Sequence, residues 1–382
     1  MKPDYWNPVR IKFGRGSLKS LPEILSGKSA LLVTTSGSLR RGAGDKVREL
    51  CGGSTIYVTD KVISNPTIAA IAECYSEIRA YDSQIIIGLG GGSALDTAKV
   101  LAYLIGLGLD SEWLGDYFRS QGKKAAGGHP RPVVAIPTTA GTGSEVTSWA
   151  TVWDEKLKKK YSLSDDFLYP QWALLDTDLT VSLPYDVTLF GSLDALSHSM
   201  EAVWNRNANP VSTELALRAV EIIMEVWRDN FKERYSFAEA REKLQLASLL
   251  AGLAFSNTKT ALAHSISYPL TALLEMPHGL ACGFTLPEIL KRNGEKAGEI
   301  VAPLVRVIGC SSLRAAAENL YAVFKEIGVS EHLGLFVKTT AVLDEIEAEY
   351  ISPGRADNNI VDINQDEAAA IAAAAVRNLA GN

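Results

Sequence analysis

The chain is poor in the features that would assign it to a class at a glance. Among 382 residues there are four cysteines and five histidines. Cys51, Cys74, Cys282 and Cys310 are scattered with no C-x-x-C pair, which argues against a disulfide frame and reads as reduced core thiols. A dominant charge is also missing. Thirty-eight basic side chains against 44 acidic ones leave −6, so neither nucleic acid nor an acidic membrane is expected as a partner. Long apolar runs are absent too; the longest, around Val100 to Leu109, is too short for a bilayer and reads as a buried helix. Met1-Lys2-Pro3-Asp4-Tyr5-Trp6 lacks the apolar core of a signal peptide, which makes a cytoplasmic chain the expectation.

What is present is a globular composition, 47% hydrophobic and 21% charged with 31 glycines, too long for one ordinary core. The first half alternates apolar runs with helical patterns. Ala30 to Thr34, Ser54 to Val58, Gln84 to Gly88 and Val133 to Pro137 read as strands, with amphipathic stretches at Pro66 to Ala80 and Ser93 to Gly106. Strand–helix alternation with wholly apolar strands predicts a parallel, doubly wound, Rossmann-like α/β sheet. A hairpin is expected around Trp149 to Leu163. Past Val181-Ser182-Leu183-Pro184 the pattern is almost entirely helical, including the alanine-rich tail. This predicts a nucleotide-binding domain over 1–182 and an all-α domain over 183–382.

Two turns carry chemistry. The run Ile85 to Ser93 ends in Gly90, Gly91 and Gly92, and a helix beginning Ala94-Leu95-Asp96 follows. Glycines admit a phosphate close to the backbone, and a helix start favours negative charge. The spacing is not G-x-G-x-x-G, so glycines alone leave a ligand-free tight turn as an equal alternative. The polar turn Pro137 to Glu145 also follows a strand, where open α/β sheets bind ligands; a merely solvated loop is the alternative.

Asp194 and His198 stand i, i+4 on a helical stretch and so project from one face. His264 lies in a second helical segment, and His278 in a Pro277-His278-Gly279 turn. One carboxylate and three imidazoles suit a divalent ion such as Fe²⁺ or Zn²⁺. Taken singly, each histidine reads more readily as an isolated core or surface residue than as a ligand; His129 and His332 fit no such pattern and are expected to be structural.

At these residues the chain resembles the iron-containing (group III) alcohol dehydrogenase family. Gly90-Gly91-Gly92-Ser93-x-x-Asp96-x-Ala98-Lys99, Pro137 to Glu145, Gly191-x-x-Asp194-Ala195-Leu196-x-His198-x-x-Glu201, Ala263-His264 and Pro277-His278-Gly279 match its motifs in order. The resemblance implies an α/β nucleotide domain and a helical domain with the active site in the cleft, commonly as a homodimer. It implies Asp194, His198, His264 and His278 as metal ligands. Ser93, Asp96, Thr138, Thr139, Thr142, Thr147, Lys160 and Asn65 join the three glycines on the cofactor side. For Lys160 the competing reading is a solvated edge.

The activity implied is an NAD(P)(H)-dependent alcohol dehydrogenase or aldehyde reductase acting on a short aldehyde or alcohol. A glycerol-dehydrogenase-like or dehydroquinate-synthase-like enzyme, or a catalytically silent nucleotide-binding protein, are the alternatives.

Three departures from the family bear on specificity. No acidic residue follows the Ala30 to Thr34 strand. Ser36, Ser38, Arg40 and Arg41 stand there instead, which favours NADP(H) over NAD(H). A second histidine expected four residues after His264 is Tyr268, a candidate for the catalytic cleft or equally a buried aromatic. Third, Thr258-Lys259-Thr260 precedes His264 where the family is small and apolar. With Ser256-Asn257 read as a helix start, this turn is expected to hold the anionic tail of a two-carbon aldehyde such as phosphonoacetaldehyde or sulfoacetaldehyde. The run from Thr260 to Thr271 also looks like the family's phosphonoacetaldehyde-reductase branch.

Overall fold

The computed structural model describes residues 4–120, 129–155, 159–344, 346 and 350–380. The chain divides into two compact units, one of Asn7–Thr139 with Gly143–Ser182, the other of Met1–Trp6, Ala140–Thr142 and Leu183–Asn382.

The first unit is built on a six-stranded sheet. Its strands are β1 (Arg10–Phe13), β2 (Ala30–Thr34), β3 (Ile56–Thr59), β4 (Ile85–Gly90), β5 (Val133–Pro137) and β8 (Trp172–Leu175), in the order β1-β8-β5-β4-β2-β3. Every pairing in it is parallel. β2, β4 and β5 are buried along their whole length, which is why they read as unbroken apolar runs. β6 (Trp149–Asp154) and β7 (Lys159–Ser164) form the expected antiparallel hairpin. The edge strand β1 and its neighbour β8 had no such signature: β1 is half exposed and both have four residues.

Helix α1 (Ile68–Ile78) is capped by Thr67, whose hydroxyl accepts from Ala70 N. Helix α2 (Gly92–Leu107) follows β4 and is mostly buried. A Cβ on Gly88 would come within 2.9 Å of Ala98 Cβ, and one on Gly90 within 2.7 Å of Ala94 Cβ. These absences let α2 lie directly on β4. From β2 the chain goes outward to β3, then returns to β4 on the other side of β2. The carboxyl ends of β2 and β4 therefore flank a reversal of strand order, the place where open sheets leave a crevice for ligands.

The second unit is helical. Its central element, α3 (Tyr185–Val203), is buried on nearly every side and packs against α4 (Pro210–Arg228), α5 (Ala238–Thr258) and α7 (His278–Gly283), with α6 (Leu262–Leu274) between the last two in sequence. Pro210 at the first position and a capping box between Asn209 and Ser212 start α4. Helices Leu313–Glu326 and Gln365–Ala380 close the same core. Among the described residues no single helix is long and apolar enough to cross a membrane.

Candidate functional site

α3 and α7 meet where glycine permits it. A Cβ on Gly279 would lie 1.8 Å from the Phe190 carbonyl oxygen, and one on Gly283 would lie 2.8 Å from Leu193 Cδ2. Gly279 thus lets α7 touch the α3 backbone, and Gly283, one helical turn on, makes room for the Leu193 side chain. This contact brings His278, the first residue of α7, to the level of Asp194. The sequence placed His278 in a turn; it opens a helix with Pro277 at the cap.

Asp194 is the common point. Its Oδ1 lies 3.8 Å from His198 Nε2 and 3.6 Å from His264 Nε2. The His198 and His264 rings stack at 4.6 Å, and His264 meets the His278 ring edge-on at 5.4 Å. His198 Nδ1 points to the Gly141 carbonyl at 3.2 Å, and His264 Nδ1 donates to Glu201 Oε2 at 2.6 Å. Both rings therefore turn Nε2 inward; burial opposes a charge on His264, but Cys282, Glu201 and Asp194 raise it well above the ordinary value, so a bound ion would displace the proton from its Nε2.

Burial opposes ionisation of Asp194, yet the imidazoles of His198, His264 and His278 hold its carboxyl well below the usual range. Burial lowers His198 to about 4, keeping it neutral. Asp194 Oδ1 and His264 Nε2 are buried without a hydrogen-bond partner, an arrangement a divalent ion resolves. Bonds of about 2.0–2.2 Å around a tetrahedral ion set neighbouring donors about 3.3–3.6 Å apart; the separations here are close to that. The residues fit a metal.

Glu201, on the same helix, was part of the recognised motif but had no assigned role. Its carboxylate is fully buried and accepts from the backbone N–H of Ala261, Ala263 and His264 as well as from the His264 ring. Cys282, read from sequence as an ordinary core thiol, lies with Asp194, His264 and His278 in a group whose donor atoms are all within 4.8 Å of one another. The signal was present in the i, i+4 spacing from His278.

The turn before His264 departs from expectation. Ser256 and Asn257 do not begin a helix; they belong to the last turn of α5, which runs through Thr258. Ser256 hydroxyl bonds back to the Leu253 carbonyl, and Lys259 ends the helix with φ +65°. The turn therefore presents carbonyls, pinned by Asn205, Asn207 and Asn358, while the free N–H groups opening α6 go to Glu201. Thr258 and Thr260 are buried and Lys259 is exposed. Thr258-Lys259-Thr260 is thus the end of a helix and not the helix start expected for an anion site. Tyr268 is half-buried with its ring 6.5 Å from that of His278. Its hydroxyl accepts from Arg355 Nε at 3.0 Å; Arg355 lies beyond the last of the sequence motifs, Pro277-His278-Gly279.

In the sheet unit, Thr35 caps the short helix Ser36–Arg40 by accepting from Ser38 N. A Cβ on Gly37 would meet Arg41 Nη1 at 3.3 Å and Arg40 Nη2 at 4.0 Å, so both guanidinium groups lie beside Gly37 in the first turn after β2. Gly90 and Gly91 line the next turn: a Cβ on Gly91 would come within 3.2 Å of Thr139 Oγ1, and Gly90 has φ +149°. Gly91 caps α2, with Gly92 its first residue. This cradle fits a pyrophosphate at a helix start.

Asn65, at φ +53°, donates its N–H to Ser93 Oγ at 3.2 Å. Thr138 Oγ1 is buried and unpaired. Other residues are held by the protein itself. Asp96 accepts from Ser144 Oγ at 2.5 Å and Thr151 N at 2.9 Å. Thr147 takes a bond from the buried Lys99 Nζ, and Lys160 lies over the Trp153 ring at 6.0 Å. Thr142 falls in the helical unit, beside Gly141. His332 bonds Gly328 and Asp186, and His129 sits edge-on to Phe167.

A family model for iron-containing alcohol dehydrogenase matches residues 8–177, and a second, for the C-terminal part of the Fe-containing alcohol dehydrogenase family, matches residues 188–378. The chain belongs to the iron-containing alcohol dehydrogenase family. Within it, the chain is 30% identical to the lactaldehyde reductase of Escherichia coli K12 over 334 residues, covering 84% of this chain and 86% of that protein. It is 31% identical to the sulfoacetaldehyde reductase of Bilophila wadsworthia over 338 residues, covering 85% and 84%. Among solved structures, a sulfoacetaldehyde reductase from Bifidobacterium kashiwanohense in complex with NAD+ matches with a TM-score of 0.87 at 30% identity, covering 98% and 99%.

Proposed function

We propose that this family member reduces a short aldehyde to its alcohol with NADP(H), using a divalent metal, iron or zinc, held by Asp194, His198, His264 and His278. The observation that carries the metal reading is the pair of buried, unpartnered donors, Asp194 Oδ1 and His264 Nε2, facing each other at 3.6 Å. When bound, such an ion supplies Lewis acidity at a carbonyl or hydroxyl oxygen, and a nicotinamide exchanges hydride. The chain's part is to orient. Glu201 and the Gly141 carbonyl fix two imidazole tautomers, and α7 sets His278 against Asp194. Gly90 to Gly92 and the start of α2 favour a pyrophosphate. Arg40 and Arg41 beside Gly37, in a segment Thr35 to Arg41 that carries no acidic residue, support NADP(H) over NAD(H).

An anionic tail on the substrate is supported by Arg355, whose guanidinium bonds Tyr268 beside His278, and by the two sulfoacetaldehyde reductases among the relatives. The test is metal analysis with a nicotinamide absorbance assay on phosphonoacetaldehyde, sulfoacetaldehyde and propanal, using both NADPH and NADH. Metal at one ion per chain and oxidation of NADPH with an anionic aldehyde are expected. No metal, or no turnover with any aldehyde, would end the catalytic reading. Activity confined to propanal would end only the anionic one.

A further inference from the structure

We infer that Cys282 is a further donor to this metal, a thiolate beside Asp194, His264 and His278; the inference rests on the metal reading above. His278 and Cys282 are i, i+4 on α7, as Asp194 and His198 are on α3, so each helix projects a pair of donors from one face. Gly279 brings the two helices into contact, and Gly283, next to Cys282, makes room for the Leu193 side chain of α3 one turn later. Cys282 has no solvent exposure. Its Sγ lies 3.8 Å from the His278 ring nitrogens and within 4.8 Å of the donor atoms of Asp194 and His264.

Bonds of about 2.3 Å to sulfur and about 2.1 Å to nitrogen put two such donors about 3.6 Å apart when they meet one ion at an angle of about 109°; the 3.8 Å from Sγ to the His278 nitrogens is close to it. Two of the surrounding donors, Asp194 Oδ1 and His264 Nε2, are buried without a hydrogen-bond partner. A thiol serving only as a small apolar core group would not be expected among them. A soft sulfur donor biases a site toward zinc over hard ions such as manganese and magnesium.

Cobalt(II) added to the chelator-stripped full chain separates the two readings by their spectra. Visible d–d bands report entry of the ion, and a near-ultraviolet sulfur-to-cobalt charge-transfer band reports a thiolate ligand. Wild type is expected to show both. Cys282→Ser is expected to keep the d–d bands, lose the charge-transfer band and bind zinc about tenfold or more weakly in competition with a chromophoric chelator. Visible bands without charge transfer in the wild type, or a charge-transfer band that survives in Cys282→Ser, would overturn the thiolate assignment and leave the four-ligand site standing. Absence of any cobalt spectrum in the wild type would overturn both. The wild-type spectrum decides even where the serine variant does not fold, and Cys282→Ala provides a second variant.

Discussion

His264 Nδ1 and Glu201 Oε2 stand 2.6 Å apart, both fully enclosed and 63 residues distant in sequence. This one contact sets the ring's tautomer and anchors the start of the helix that carries it. Burial opposes the charge on Glu201, but His264 and the surrounding N–H groups hold its carboxyl below the ordinary value.

Glu201→Gln keeps the size but replaces one acceptor oxygen by a donor. Outer partners of this kind are worth about 10–100-fold in metal affinity, and that loss is expected in chelator competition. Glu201→Ala leaves three backbone N–H groups and an imidazole without their acceptor. A destabilisation of roughly 3–5 kcal/mol is expected, read by urea denaturation. Unchanged metal affinity in the glutamine variant would contradict the positioning role.

Gly279→Ala introduces a methyl 1.8 Å from the Phe190 carbonyl oxygen. The clash is with backbone, so α7 must move. Overpacking of this kind costs about 1–3 kcal/mol, and bound metal should fall although no ligand has been changed. Full metal content with wild-type stability would show that the α3–α7 contact is not needed for the site.

Asp194→Ala, His264→Ala and His278→Ala each remove a proposed ligand. Loss of bound metal and of turnover is expected in all three. Wild-type metal content and activity across the set would overturn the site.

Ser36→Asp places a carboxylate at the end of β2 beside Arg40 and Arg41. It should repel a 2′-phosphate and attract a ribose hydroxyl. The ratio of kcat/KM for NADPH over NADH is expected to drop about tenfold or more, the equivalent of about 1.4 kcal/mol. A wild-type enzyme that already prefers NADH would refute the NADP(H) assignment before the variant is made.

Lys99 offers a pH test in the sheet unit. Burial lowers it to about 8 from 10.5, although Asp96 and Glu145 act in the opposite sense. Between these values the unfolded chain holds a proton that the native chain has released, so stability rises with pH. The native-state penalty is fully present below about 8 and is relieved toward 10.5. Denaturation midpoints of wild type and Lys99→Met, taken from about pH 7.5 to 9.5, should diverge in the wild type's favour as pH increases. A constant difference would show that Lys99 does not titrate there.

Local patterns by themselves determined the buried central strands, the glycine turn after β4, the helix bearing Asp194 and His198, and the helical character of the second half. Each of these is a short-range matter of periodicity, backbone freedom or i, i+4 spacing. Tertiary structure decided what depends on segments distant in the chain. Edge strand β1 takes its place from pairing with β8, more than 150 residues on. Lys259 turned out to end a helix because Asn205, Asn207 and Asn358 capture the carbonyls around it. The α6 start, which a sequence reading offered to an anion, is capped from α3 by Glu201. Cys282 has metal-ligand spacing from His278, yet only the glycine contact of α7 with α3 puts its sulfur beside Asp194. Spacing along one helix selects which side chains share a face; which other face they meet is settled by packing, where a missing Cβ decides how closely two backbones approach.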